Sequence, residues 1–280
     1  MTVRRVADLT DGVVDQFKPG LVKSGLTGDD LVWVMENKER LDWWVKTLQD
    51  NRDTDVEEQA KREKEERKFF RELFGTPDEQ IVHAKAWNIE SGWCFTEDDF
   101  ANLGPAPTVP NEKLVPIVLE VSLDTISETI EALWPIIARQ QPAKWRWEKL
   151  FSDAKSLALI SGQTHVRGLR WRVLDLKANW DGKTGVSTQN ARLKAGNNSL
   201  FPHADLLSAA AHFPKWIAAM DGVRVPYVWV GGYDLTVRGR DPLVPVLNRD
   251  VDDGTVNFDA GNLDCPYSNY AVPLRREPVR

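Results

Sequence analysis

Three prolines within six residues, Pro105, Pro107 and Pro110, impose the strongest constraint on this chain. Proline brings no amide hydrogen to a helix or a sheet ladder, so neither a continuous helix nor a central strand can run through this stretch. The charge changes across it as well. Residues 1–110 hold 15 Lys/Arg and 23 Asp/Glu, a net of -8, whereas the remainder holds 21 and 19, a net of +2. The sequence therefore divides into a helical region over 1–75, a Pro/Gly-rich connection over 76–113 and an α+β domain over 114–280.

Before the break the pattern is helical. Thr27-Gly28-Asp29-Asp30 resembles a helix start, and Leu31, Val34, Leu41, Trp44, Val45 and Leu48 recur at near-helical spacing. Residues 50–68 form a charge run in which Glu57–Lys61, Glu58–Arg62 and Glu63–Arg67 sit four apart, acid first, the order that supports a solvated helix. Phe69, Phe70, Leu73 and Phe74 give this helix an apolar end, and Gly75 stops it.

After the break, strands and helices mix. The spacing predicts strands over 115–121, 156–160, 169–176, 223–230, 233–237, 255–258 and 270–274. Helices are predicted over 123–140, kinked or ended near Pro135, and over 203–213, with a short turn after Pro214. Gly231-Gly232 reads as a hairpin turn between two of the strands. The fold class expected is α+β, a helical N-terminal region followed by a mostly antiparallel sheet with interspersed helices.

Twelve tryptophans against four tyrosines are the compositional oddity. Such rings fill cores or form platforms for bases, sugars or peptides, and their number does not choose between these uses. Between Pro135 and Arg172 they interleave with charge. Arg139, Lys144, Arg146, Lys149, Lys155, Arg167, Arg170 and Arg172 face only Glu148 and Asp153, with Trp145, Trp147, Phe151 and Trp171 among them. Basic residues with aromatic rings are what a groove for single-stranded nucleic acid uses, so Trp145, Trp147, Trp171, Arg146, Lys149, Arg167, Arg170, Arg172 and His165 are candidate binding residues. The competing account is a basic face neutralised by the acidic part of the same chain.

Most catalytic and metal motifs are excluded. Gly182-Lys183-Thr184 lacks the upstream glycine of a phosphate loop, since Lys177 stands there, and Asp250–Gly254 has the wrong spacing for a calcium loop. His203 and His212 lie half a turn out of phase on one predicted helix and cannot share a metal; His203 at the helix start suits a cap. Cys94 and Cys265 form no zinc or disulfide framework and read as reduced thiols. No cofactor or metal is expected. His165, in a loop beside three arginines, is the histidine best placed to act as a base.

The stretch His212-Phe213-Pro214-Lys215-Trp216-Ile217-Ala218-Ala219-Met220-Asp221-Gly222, with Val225-Pro226-Tyr227-Val228-Trp229, Gly231-Gly232-Tyr233 and Tyr270 to Glu277, resembles a group of uncharacterised proteins predicted from genomes of candidate phyla radiation bacteria. The similarity covers the C-terminal two-thirds. It implies an intracellular bacterial protein and brings no activity, cofactor or catalytic residue.

Three functional expectations follow. The first is a cytoplasmic binding or interaction protein without catalytic chemistry, taking single-stranded nucleic acid through the 139–172 patch or a protein partner. The second is an enzyme with His165 or His203 as base and Asp175 or Asp181 as its partner. The third is a structural protein that docks through the charged 50–68 helix. No apolar stretch approaches the roughly 20 residues of a membrane span, and no apolar leader follows the N-terminal Met-Thr-Val-Arg-Arg, so a cytoplasmic location is expected. Oligomeric state is left open.

Overall fold

The computed structural model describes residues 58–108, 113–141, 143–146, 157–195, 201–236 and 242–276, together with Lys46. The chain forms two compact units, Met1–Glu66 and Arg67–Arg280. In the first unit, residues 58–66 are helical and Arg62 meets Glu58 at 3.2 Å, one of the expected i,i+4 pairs. The helical expectations over 27–48 lie outside the described residues, Lys46 apart.

The second unit is α+β. Helical residues 67–72 bury Phe70, Leu73 follows them into the core, and the Arg224 guanidinium lies 3.6 Å over the Phe69 ring. Two helices follow where a connection is expected: α1 (Pro77–Ser91) and α2 (Glu97–Ala101). Each opens with a capping box, Thr76 with Glu79 and Thr96 with Asp99, in which side chain and backbone exchange hydrogen bonds. Gly92 ends α1 in the left-handed conformation. Pro105 and Pro107 come only beyond these helices, and Pro110 lies outside the described residues.

Strand β1 (Ile117–Ser122) leads into α3 (Ile126–Arg139), capped by Thr125 and Glu128. The helix runs through Pro135 rather than ending there. Pro135 is exposed, while Trp134, Ile136, Ile137 and Ala138 are buried, so the last turn is held by packing despite the missing hydrogen bond. The remaining elements are β2 (Ala143–Arg146), β3 (Leu157–Leu159), β4 (Gly168–Asp175), α4 (Thr188–Ala195), α5 (Ala204–His212), α6 (Pro214–Ala218), β5 (Tyr227–Trp229), β6 (Tyr233–Leu235), β7 (Leu243–Arg249), β8 (Thr255–Asn262), β9 (Tyr270–Ala271) and β10 (Leu274–Arg276).

These strands form two sheets. One is antiparallel in the order β1-β4-β10. The other has seven strands, with β2-β8-β7-β5-β9 in line and β6 joined to β3 and β7. It is mixed, because β2 runs parallel to β8 and β9 parallel to β5. Two expectations change here. Gly231-Gly232 makes no hairpin: β5 pairs with β7 and β9, and β6 with β3 and β7. The glycines answer a close approach instead, since a Cβ at Gly232 would lie 2.8 Å from the Pro202 carbonyl oxygen and 2.9 Å from that of Phe201. The last predicted strand is two strands, and the chain crosses from one sheet to the other at Val272-Pro273.

Strand β1 organises the core. Its unpaired edge is closed by side chains. Gln80 of α1 donates to the Ile117 carbonyl (3.0 Å) and accepts from the Leu119 amide (2.8 Å). His212 of α5 donates to the Leu119 carbonyl (3.2 Å), and the Ser208 hydroxyl accepts from the Val121 amide (2.9 Å). Thr129 accepts from the Leu123 amide (2.9 Å). Among the described residues, no helix is long and apolar enough to cross a membrane.

Replacing Gln80 with Leu keeps the volume and strands two buried backbone groups. Chemical denaturation of Gln80→Leu should show a loss of about 2–4 kcal/mol, whereas Val82→Ser, on the exposed face of α1, should stay within about 0.5 kcal/mol of the parent.

Candidate functional site

The register of β1 against β4 pairs Glu120 with Arg170 and Val118 with Arg172. Side chains alternate along a strand, so Glu120, Arg170 and Arg172 share one face, and Arg275 of β10, opposite Leu174, joins them. Glu120 is only 1% exposed, and its carboxylate accepts from the Ser122 hydroxyl (2.9 Å) and from Arg172 Nε (2.5 Å). Asp205, in the first turn of α5, is fully buried and receives Arg275 Nε and Nη2, while the His203 amide donates to its Oδ1 at 2.7 Å. Burial works to raise the Asp205 pKa; the Arg275 charge and its hydrogen bonds outweigh it and hold the carboxyl below the usual range.

His203 caps α5 with its ring: Nδ1 accepts from the Ala204 amide at 2.6 Å. Burial pushes its pKa down to about 4, against the opposing charge of Asp205, so the ring is neutral near pH 7. With Nδ1 an acceptor, the proton sits on Nε2, which has no partner among the described residues. His165 is fixed the other way. Its Nε2 lies 2.8 Å from the Leu123 carbonyl, which can only accept, so Nε2 carries a hydrogen and Nδ1 of the neutral ring is an acceptor. That Nδ1 is buried and unpartnered. The His203 ring centre lies 6.4 Å from that of His165 and 5.7 Å from that of Tyr233. Tyr233 is fully buried, its hydroxyl has no partner, and burial with the nearby Asp205 and Glu120 charges pushes its pKa far up, so it remains an O–H donor. Gln163, two residues before His165, also has both amide atoms buried without partners.

The Gly232 approach places this group. The Gly232 amide donates to the Pro202 carbonyl (3.0 Å), which fixes the segment carrying His203 beside the start of β6 and Tyr233. The crossover at Val272-Pro273 brings Arg275 to Asp205. Arg276, on the opposite face, engages Asp175 at 2.5 Å.

Of the residues singled out in the sequence, His165 and Arg172 each contact the β1 segment at this cluster, and Arg170 stands opposite Glu120 with Nη2 donating to the Val166 carbonyl. The others lie elsewhere. Trp171 is on the opposite face, its indole N–H donating to the Gly104 carbonyl (3.2 Å). Arg167 bonds Asp124 (2.7 Å) and the Trp93 carbonyl (2.7 Å) and lies over the Phe95 ring. Arg146 meets Glu131 at 3.3 Å, and Trp145 is 46% exposed on β2. Trp147 and Lys149 lie outside the described residues. Asp175 is taken by Arg276, and Asp181 accepts from the Lys183 and Thr184 amides of its own turn; the carboxylates that act on His203 are Asp205 and Glu120.

An open groove of about 700 Å³ borders the loop that holds His165. Its wall includes Leu123, whose carbonyl fixes His165, and Arg167, together with Trp93, Asp124, Glu128, Glu131, Pro135 and Arg139. Arg139 is engaged by Glu90 at 2.7 Å. Among the described residues, no three His, Cys, Asp or Glu side chains are grouped to hold a metal ion. Compared with known proteins, the chain matches no family model, no curated protein and no solved structure.

Glu120, Asp205, Tyr233 and Arg275 are not among the residues that the sequence singles out. Glu120 and Asp205 carry a signal all the same, since each is a carboxylate set in an otherwise apolar run, Val118-Leu119-Glu120-Val121 and Ala204-Asp205-Leu206-Leu207. Tyr233 and Arg275 carry none.

The buried histidines make stability pH-dependent. Burial holds His212 down to about 3 and His203 to about 4. The unfolded chain therefore binds protons that the folded one refuses. Their stability contribution is complete above about pH 6.5 and falls, by about 1.4 kcal/mol per histidine per pH unit, as pH drops below it. His212→Gln retains a donor for the Leu119 carbonyl, and should shrink the stability difference between about pH 7.5 and about pH 4.5 by about 2–3 kcal/mol in urea titrations.

Proposed function

We propose that this protein binds a small polar molecule at the cluster of Tyr233, His203 and His165 and can exchange a proton with it through His165. The observation that carries this reading is the Tyr233 hydroxyl, fully buried and without a partner beside carboxylates and guanidiniums that are paired. Leaving a buried hydroxyl unsatisfied costs about 1–3 kcal/mol, a cost that a ligand acceptor would remove. The same arrangement supports an enzyme. His165 Nδ1 is positioned as a base by the Leu123 carbonyl, and His203 Nε2–H and the Tyr233 O–H are donors without charge.

The test is thermal denaturation of the full chain against a panel of small polar metabolites. Compounds that raise the parent's Tm should act several-fold less on Tyr233→Phe, whose own Tm without ligand should equal or exceed the parent's. Equal effects on both proteins, or no active compound, would remove the reading.

A second reading, binding of single-stranded nucleic acid, is favoured by one observation: Trp145 is 46% exposed beside exposed Lys144 on β2. Its electrostatic support is reduced because Arg139, Arg146, Arg167 and Arg172 are each paired with an acid. Tryptophan fluorescence titrated with short single-stranded RNA at about 20 mM and about 200 mM salt decides it. Saturable quenching that weakens with salt and disappears in Trp145→Ala supports this reading; quenching unchanged in that variant, or none at low salt, rejects it.

A further inference from the structure

We infer that the outer face of the seven-stranded sheet binds a neutral carbohydrate chain along a row of side chains from Trp145 to Tyr270. This site is separate from the Tyr233 cluster, and it gives Trp145 a partner other than nucleic acid.

The strand register builds the row. Trp145 pairs with Asn257, Asn257 with Asn248, and Tyr227 with Tyr270. The antiparallel ladder that sets Val228 against Leu247 sets Tyr227 against Asn248. Paired residues share a face, so these five side chains line up across β2, β8, β7, β5 and β9. Four strand spacings make the row about 19 Å long. The next row, Arg146, Phe258, Leu247, Val228 and Ala271, turns to the opposite face. There the last four are fully buried, and Arg146 meets Glu131 of α3. The Trp145 row therefore looks outward: Trp145 is 46% exposed, and Asn257, Asn248 and Tyr270 are half-buried.

Aromatic rings stand at both ends. Trp145 is at one. At the other, Tyr270 packs against Tyr227 and against Tyr267, with ring centres 5.1 and 5.4 Å apart, and Tyr267 is exposed. Between the ends the amides form a directed chain. Asn257 Nδ2 donates to Asn248 Oδ1 at 3.0 Å, and Asn248 Nδ2 donates to the Tyr270 hydroxyl at 3.3 Å. This order leaves Asn257 Oδ1 as an acceptor towards Trp145 and the Tyr270 O–H as a donor at the far end. Neither has a partner among the described residues. Burial pushes the Tyr270 pKa up to about 12, so its hydroxyl keeps the proton. Each amide also keeps a second N–H.

Such a row calls for apolar ring faces to stack at its ends and for uncharged groups that both donate and accept along its middle. Sugars combine the two, since their C–H faces pack on aromatic rings and each hydroxyl is donor and acceptor at once. The row itself has no charged side chain. Asp259, opposite Val246 and two residues on from Asn257, shares the face and adds a negative charge. That charge opposes a polyanion, which sets a neutral saccharide above single-stranded nucleic acid as the occupant.

The test is isothermal titration calorimetry of the full chain with cellohexaose, maltohexaose, xylohexaose and mannohexaose, and with a short single-stranded RNA. At least one hexasaccharide is expected to bind with a Kd of about 1 mM or tighter. Its affinity should change by less than about twofold between about 20 mM and about 200 mM salt, because no ion pair is formed. Trp145→Ala and Asn257→Ala should each weaken it at least about fivefold, while Trp145→Tyr, which keeps a ring, should stay within about threefold of the parent. Trp145 is exposed, so its variants should keep the parent's circular dichroism even where Asn257→Ala does not. If no hexasaccharide binds, or if one binds the parent and Trp145→Ala equally, the inference is overturned. RNA that binds the parent more tightly than every hexasaccharide and is lost in Trp145→Ala would give the face to nucleic acid and overturn it as well.

Discussion

A strand whose edge is sealed by side chains, not by another strand, underlies this structure. Strand β1 is buried on both faces, and one of its edges lies beneath helices. Buried peptide groups must find partners, and helices cannot offer their own backbone. Gln80, His212, Ser208 and Thr129 supply those bonds, and His165 continues the row at Leu123. Each bond also fixes the helix or loop that provides it. The edge that closes the sheet therefore sets the positions of α1, α3 and α5 and orients one of the histidines at the candidate site.

From that strand the site follows by register. Once β1 is fixed, Glu120 is buried and must meet a cation, which Arg172 supplies from the neighbouring strand. The same logic holds for Asp205, whose partner arrives from the far end of the sequence. Removing Arg275 would leave a buried carboxylate without a cation, so the C-terminal crossover is tied to the integrity of α5 as much as to the three-stranded sheet. The site is thus assembled from β1, β4, α5, β6, β10 and the loop at His165, elements separated by many residues in the chain.

Much of the fold is legible in the residue pattern. Alternation over 169–176 separates Trp171 and Val173 from the arginines, and that partition is the one observed. Apolar spacing over 123–140 and 203–213 locates α3 and α5. The departures have physical causes. The prolines that follow the capping boxes at Thr76 and Thr96 outweigh them in the pattern, so α1 and α2 read as a connection. Gly231-Gly232 satisfies a hairpin rule and a close-approach rule equally well, and only tertiary packing decides between them. The run from Tyr270 to Leu274 has the composition of one strand and is split by Val272-Pro273 between two sheets. At the site, local charge marks His165, Arg170 and Arg172, and a place at a helix start marks His203. Nothing marks Tyr233, because an unpartnered hydroxyl is a property of its surroundings rather than of its neighbours in sequence.

Gly232 acts as a spacer of zero thickness. The carbonyl oxygens of Pro202 and Phe201 lie 2.8 and 2.9 Å from where a Cβ would stand, too close for one, so β6 rests directly on the backbone that precedes α5. The clearance between the His203 and Tyr233 rings is thereby fixed by main chain against main chain, and no side chain can adjust it. A chain built this way can change the chemistry of its site by exchanging residues around the two rings. It has no graded way to change the gap between them, since the smallest possible addition at the joint, one methyl group, already forces the two backbones apart.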